Sequence, residues 1–92
     1  DMTALLCAAK EGHAGQTRVL LEAGADVNGR NIHGNTALMI AAGLGHLDKV
    51  KVLVKHGADT SLTCNHGTAL DVALQQGQDH VVEFLRESQK ST

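Results

Sequence analysis

The sequence predicts an all-α fold, a solenoid of stacked helix–turn–helix units joined by β-hairpin-like turns. Three observations predict it. The triplet Thr3-Ala4-Leu5 returns as Thr36-Ala37-Leu38 and as Thr68-Ala69-Leu70, 33 and then 32 residues later. Gly12, Gly45 and Gly77 keep the same two spacings, and Gly24-Ala25-Asp26 returns as Gly57-Ala58-Asp59 after 33 residues. Between these words the apolar residues recur with a helical period. Self-similarity of this kind marks architectures whose units bury their apolar faces only by stacking on one another.

Each unit reads as two short helices and an extended turn. Thr36 opens the first helix of its unit, because its hydroxyl can accept from the free N–H groups of the first turn. Thr68 does the same with Asp71 three residues on, a capping-box arrangement. Ala8-Ala9 and Ala41-Ala42 supply small side chains that let neighbouring helices approach. Gly12, Gly45 and Gly77 then permit a sharp turn. The second helix carries Leu47, Val50, Leu53 and Val54 in one unit and Val81, Val82, Phe84 and Leu85 in the next. Gly24 and Gly57 follow its end, where a left-handed residue is wanted. Extended stretches with a turn come next, at 26–35 and 59–68.

Composition narrows the function classes. The 92 residues contain no Trp, Tyr or Pro, and Phe84 is the one aromatic residue. The core must therefore come from Leu, Val, Ile, Met and Ala. A net charge of −2 offers no electrostatic footprint for nucleic acid, and a stacking platform for single strands has no aromatics to build it. No run approaches the roughly 20 apolar residues of a membrane span. Two cysteines are not a disulfide framework, so a reducing intracellular setting, cytoplasmic or nuclear, is the expectation.

On these words the chain resembles the ankyrin repeats, whose pattern is a glycine turn, T-P-L-H-x-A-A, G-H, an apolar helix and G-A-D-V-N. The second unit matches as Gly34, Thr36-Ala37-Leu38-Met39-Ile40-Ala41-Ala42, Gly45-His46 and Gly57-Ala58-Asp59, and the first adds Gly24-Ala25-Asp26-Val27-Asn28. The resemblance divides a single domain, 1–92, into repeats at 1–30 (leading turn truncated), 31–63 and 64–92. Ala replaces the family's proline in all three units. The motif histidine is Leu6, Met39 and Asp71, so its bonds to the turn are expected to be lost. The third unit is one residue short after Gly67, which should alter its hairpin tip. Thr17 stands where Val50 and Val82 stand, putting a hydroxyl near the core. Arg86 and Asp79 replace apolar residues of the earlier units, so the third repeat reads as a polar cap. The first has no comparable cap, and a longer parent stack cut at Asp1 is the expectation.

The resemblance implies a concave surface of hairpin tips and first helices that grips another protein. Carried over by position, the tip residues are Arg30, Ile32, His33 and Asn35, then Thr63, Asn65 and His66. The outward residues of the first helices are Lys10, Glu11, Gly43, Leu44, Gln75 and Gln76. Ile32 and Leu44 carry most weight as exposed apolar anchors, against the ordinary background of scattered exposed hydrophobes. The stretch ending at Asn28 is similar to the one that asparaginyl hydroxylases modify in ankyrin repeats, against the plainer reading that asparagine tolerates a turn. A monomer is expected. The alternative is a structural spacer within a longer array.

No metal, cofactor or catalysis is expected. His33 and His66 sit one repeat apart, while helix spacing of about 8–10 Å exceeds what zinc ligation allows. His13 and His46 belong to the repeat motif, and His56 suits a helix C-terminus. Cys7 and Cys64 are too many layers apart for a disulfide. Cys7 reads as a small core residue like Ile40 and Val72, and Cys64 as an exposed thiol. Asp71, Asp79 and His80 share no cleft, so the chain is not expected to be an enzyme.

Overall fold

The computed structural model describes residues 2–11 and 13–90. Six helices run α1 (Met2–Glu11), α2 (Ala14–Glu22), α3 (Ala37–Leu44), α4 (Leu47–Lys55), α5 (Ala69–Gln75) and α6 (Asp79–Lys90). They stack as pairs: α1, α3 and α5 form an inner row, and α2, α4 and α6 an outer row. No strand joins them among the described residues, only two isolated antiparallel bridges, Arg30 with Thr36 and Cys64 with Gly67. The second bridge closes a tighter loop, which is where the missing residue of the third unit takes effect.

The expected helix starts are present, with one correction. Thr36 and Thr68 cap α3 and α5 by accepting from the N–H groups of Met39 and Asp71, at 3.3 Å in both cases. The histidine of the motif is absent, and in the second and third units another acceptor stands in its place. The Met39 thioether accepts from the Thr36 N–H at 3.5 Å, and an Asp71 carboxylate oxygen accepts from the Thr68 N–H at 3.0 Å. Gly45 ends α3 with φ +77°, a left-handed conformation that glycine adopts without a Cβ penalty. Gly12, expected to turn α1 into α2, lies outside the described residues.

The core is aliphatic and fine-grained. Leu5, Leu38, Leu53 and Leu85 are fully buried, with the alanines Ala8, Ala9, Ala41, Ala42 and Ala73 between them. Burying each leucine contributes about 1.5–3 kcal/mol. Gly43 shows how close the inner row packs, since a Cβ there would stand 2.9 Å from a Val72 methyl. Thr17 is fully buried, as its position implied, and its hydroxyl donates to the His13 carbonyl at 3.1 Å.

Cys7 corrects the sequence reading: it is exposed, whereas Ile40 and Val72 are half-buried. Its position faces backward along the stack. Val72 meets the preceding layer at Gly43, and among the described residues no layer stands on that side of Cys7. Val19 is 60% exposed, while Val52 and Phe84 at the matching outer-row positions are half-buried. Cys64 is half-buried rather than open. Its sulfur accepts from the His66 N–H at 3.4 Å.

Candidate partner-binding groove

The second hairpin tip is organised by one side chain. Asn31 Oδ1 accepts from the N–H groups of His33 and Asn35 at 2.9 and 3.0 Å. The Asn31 N–H donates to the Asn35 carbonyl at 3.0 Å, and Gly34 takes φ +79° to close the turn. The third tip is closed by backbone bonds between Cys64 and Gly67, at 2.9 and 3.1 Å. Gln75 Nε2 then donates to the His66 carbonyl at 2.9 Å, tying that tip to α5. Both tips are held by local bonds, so their conformation does not depend on a partner.

Between these tips and the inner helices lies a groove of about 470 Å³. Its floor is Met39, Ile40, Leu44 and Val72, with Gly43 among them. Lys10, Asn31, Asn35, His66 and Gln76 form the rim. The groove therefore draws on all three layers. Leu44 is 49% exposed, an apolar side chain held open to water.

The structure divides the expected site residues. Asn35, Leu44 and His66 come together in the groove, with Lys10, Gly43 and Gln76 from the helices. Arg30, Ile32, His33, Thr63 and Asn65 stand outside its lining. Arg30 donates to the Thr63 carbonyl at 3.2 Å, joining two successive turns. Ile32 is 96% exposed at the tip, with nothing apolar to rest on. Sequence reasoning missed Asn31, Met39, Ile40 and Val72. The last two sit at equivalent repeat positions, and their half-burial would have marked a groove floor had exposure been legible.

Asn28 has a structural partner. Its Oδ1 accepts from the Asp59 N–H of the next unit at 2.7 Å, while its own N–H donates to Asp26 at 3.0 Å. Asp59 repeats that local turn, accepting from the Ser61 hydroxyl at 2.6 Å and the Ser61 N–H at 2.9 Å. These bonds, with the nearby Arg30 guanidinium, hold the Asp59 carboxyl below its ordinary pKa.

A larger hollow of about 860 Å³ lies between the starts of α2 and α4, among His13, Gln16, His46 and Lys49. It is open and polar. His46 has its pKa lowered by burial and by the neighbouring Lys49 charge. The Lys49 ammonium turns into the stack, where it donates to the Ala8 carbonyl. Among the described residues no group of three or more His, Cys, Asp or Glu could hold a metal ion. None of the described helices is long and apolar enough to cross a membrane.

No curated protein matches the chain in sequence comparison. A sequence model of the family described as ankyrin repeats (three copies) matches residues 5–92. Ankyrin repeats are generally protein–protein interaction modules and typically not enzymes. Six helices in three stacked pairs, closed by glycine turns and matched over nearly the whole length, make this chain a member of the ankyrin-repeat family.

Proposed function

We propose that the chain is a recognition module that takes a segment of another protein into its concave groove, with the hairpin tips framing the contact. The observation that carries this is Leu44, an exposed leucine on the floor of a hollow built by all three layers. Apolar surface left open in a preformed hollow gives little to folding and much to binding. Ile32, His33 and Asn65 extend the contact outward as tip residues. Arg30 and Thr63 set the spacing of the tips. The chain acts as a monomer in a reducing intracellular compartment, a setting that suits two free thiols.

The test is a pull-down with the wild-type chain and an Ile32→Asp, Leu44→Asp double variant, after circular dichroism shows both folded. A protein retained by the wild type and lost by the variant supports the reading. Equal retention by both moves recognition off the concave face. No specific retention favours a spacer within a longer array.

A modification at Asn28 is proposed alongside. The side chain is half-buried and bonded to Asp59, so a hydroxylase must release that bond before it reaches Cβ. Intact mass after exposure to an active asparaginyl hydroxylase should rise by one oxygen, and an unchanged mass sinks the proposal.

A further inference from the structure

The groove is charge-biased in a way that the chain as a whole is not. The full sequence has ten carboxylates against eight lysines and arginines. Yet the two hairpin tips, 30–36 and 63–68, contain no Asp or Glu, and α3 contains none either. Across the tips and the inner helices the carboxylates are Glu11 and Asp71 alone. Asp71 is occupied by the Thr68 N–H and hydroxyl, at 3.0 and 3.2 Å. Glu11 acts on Lys49, whose pKa it raises against the lowering effect of burial. Neither lines the groove. What does line it is an aliphatic floor, the Lys10 ammonium, the His66 imidazole and the neutral carboxamides of Asn31, Asn35 and Gln76.

Those neutral groups are the second clue. Asn35 and Gln76 offer carboxamides at the rim, and Asn31 keeps its amide N–H groups because its bonds to His33 and Asn35 use the oxygen. Carboxamides pair with peptide N–H and C=O groups, which an extended segment leaves open and a helix has already used. Because both tips are already ordered by their own bonds, little ordering cost remains on this side of the complex.

We infer that the groove takes an extended peptide that seats an apolar side chain on Leu44, Ile40 and Val72 and places a carboxylate against Lys10. This rests on the groove being the recognition surface. It adds the chemistry of the occupant, an apolar–acidic peptide segment.

The test is selection from a random linear peptide library displayed on phage, with the intact 92-residue chain as bait. Individual clones are then measured by fluorescence polarisation against the wild type, Leu44→Asp and Lys10→Glu. Enriched peptides carrying an apolar residue flanked by Asp or Glu support the inference. Lys10→Glu should weaken such a peptide about fivefold, and added salt should weaken the wild-type complex. Enrichment of apolar–basic or uncharged peptides that still lose binding in Leu44→Asp overturns the acidic occupant and leaves the groove reading intact. Peptides that bind Leu44→Asp as well as wild type overturn both. Failure to enrich any sequence overturns the extended-peptide occupant.

Discussion

The Lys49 ammonium donates to the Ala8 carbonyl, 41 residues earlier in the chain, at 3.1 Å inside the stack. Ala8 lies in the last turn of α1, so a buried cation meets the negative end of that helix. Lys49 is only 1% exposed, at a position where the third unit has Val81. One bond and a helix end do not replace the hydration of an ammonium, and burial lowers its pKa. Lys49→Met keeps the volume and removes the charge. It should stabilise the chain by about 1 kcal/mol and raise Tm by about 5 °C near neutral pH. Below the lowered folded pKa both states carry the proton, and the cost of burial is constant. Between that value and the ordinary lysine value the unfolded state binds more protons, so wild-type stability rises with pH. The advantage of Lys49→Met should therefore shrink in alkaline solution, which thermal melts across that range will show.

Thr17 carries a parallel lesson about a buried hydroxyl. It is fully buried, and its bond to the His13 carbonyl is local to α2. Val50 and Val82 fill the same position in the other units with a methyl group instead. Thr17→Val should stabilise the fold by about 0.5–1 kcal/mol, because the local bond contributes little net free energy. Urea unfolding at constant slope is the measurement.

The Asn28 side chain joins the first unit to the second. Asn28→Leu removes the acceptor for the Asp59 N–H and should cost about 1 kcal/mol, whereas Asn28→Asp keeps an oxygen there and should cost less. Amide hydrogen exchange at Asp59 separates the two: faster in Asn28→Leu, near wild type in Asn28→Asp. The neighbouring Asp59 carboxyl, held below its ordinary pKa by Ser61, adds stability above the unfolded carboxylate value. That contribution is lost as pH falls through the folded value.

Thr36 caps α3 from a buried position, and its own N–H has no nearer acceptor than the Met39 sulfur. Thr36→Ala should lower stability by about 1 kcal/mol or somewhat more, while Thr36→Ser retains most of it. Met39→Leu should cost less than Thr36→Ala, since a thioether is a weak acceptor. Chemical denaturation of the three variants gives the order.

The repeat and its helices were legible because several words share one period, and a period survives substitution of any one word. Thr36 and Thr68 were legible as caps because capping depends on neighbours three residues away. Exposure at the first layer was not, because Cys7 and Ile40 are equivalent in sequence and differ only in whether a layer stands behind them. Lys49 was hidden for a related reason: the apolar stripe of its own helix omits it, and only the three-dimensional approach of α4 to the end of α1 explains how a lysine fits inside. Within the candidate site, Leu44, Asn35 and His66 followed from repeat position. Asn31 did not, since its effect lies in local bonds that hold the tip, and Ile32 shared the expectation with Leu44 yet stands outside the groove.

The most direct test of the groove compares binding of one selected peptide to the wild type, Leu44→Asp and Val19→Asp by calorimetry. Leu44 and Val19 are similarly exposed apolar residues, one on the groove floor and one on the outer row. The groove account predicts that Leu44→Asp abolishes binding while Val19→Asp binds as the wild type does, with both variants melting near the wild-type Tm. Binding that survives Leu44→Asp and fails in Val19→Asp would contradict it and move recognition to the outer face.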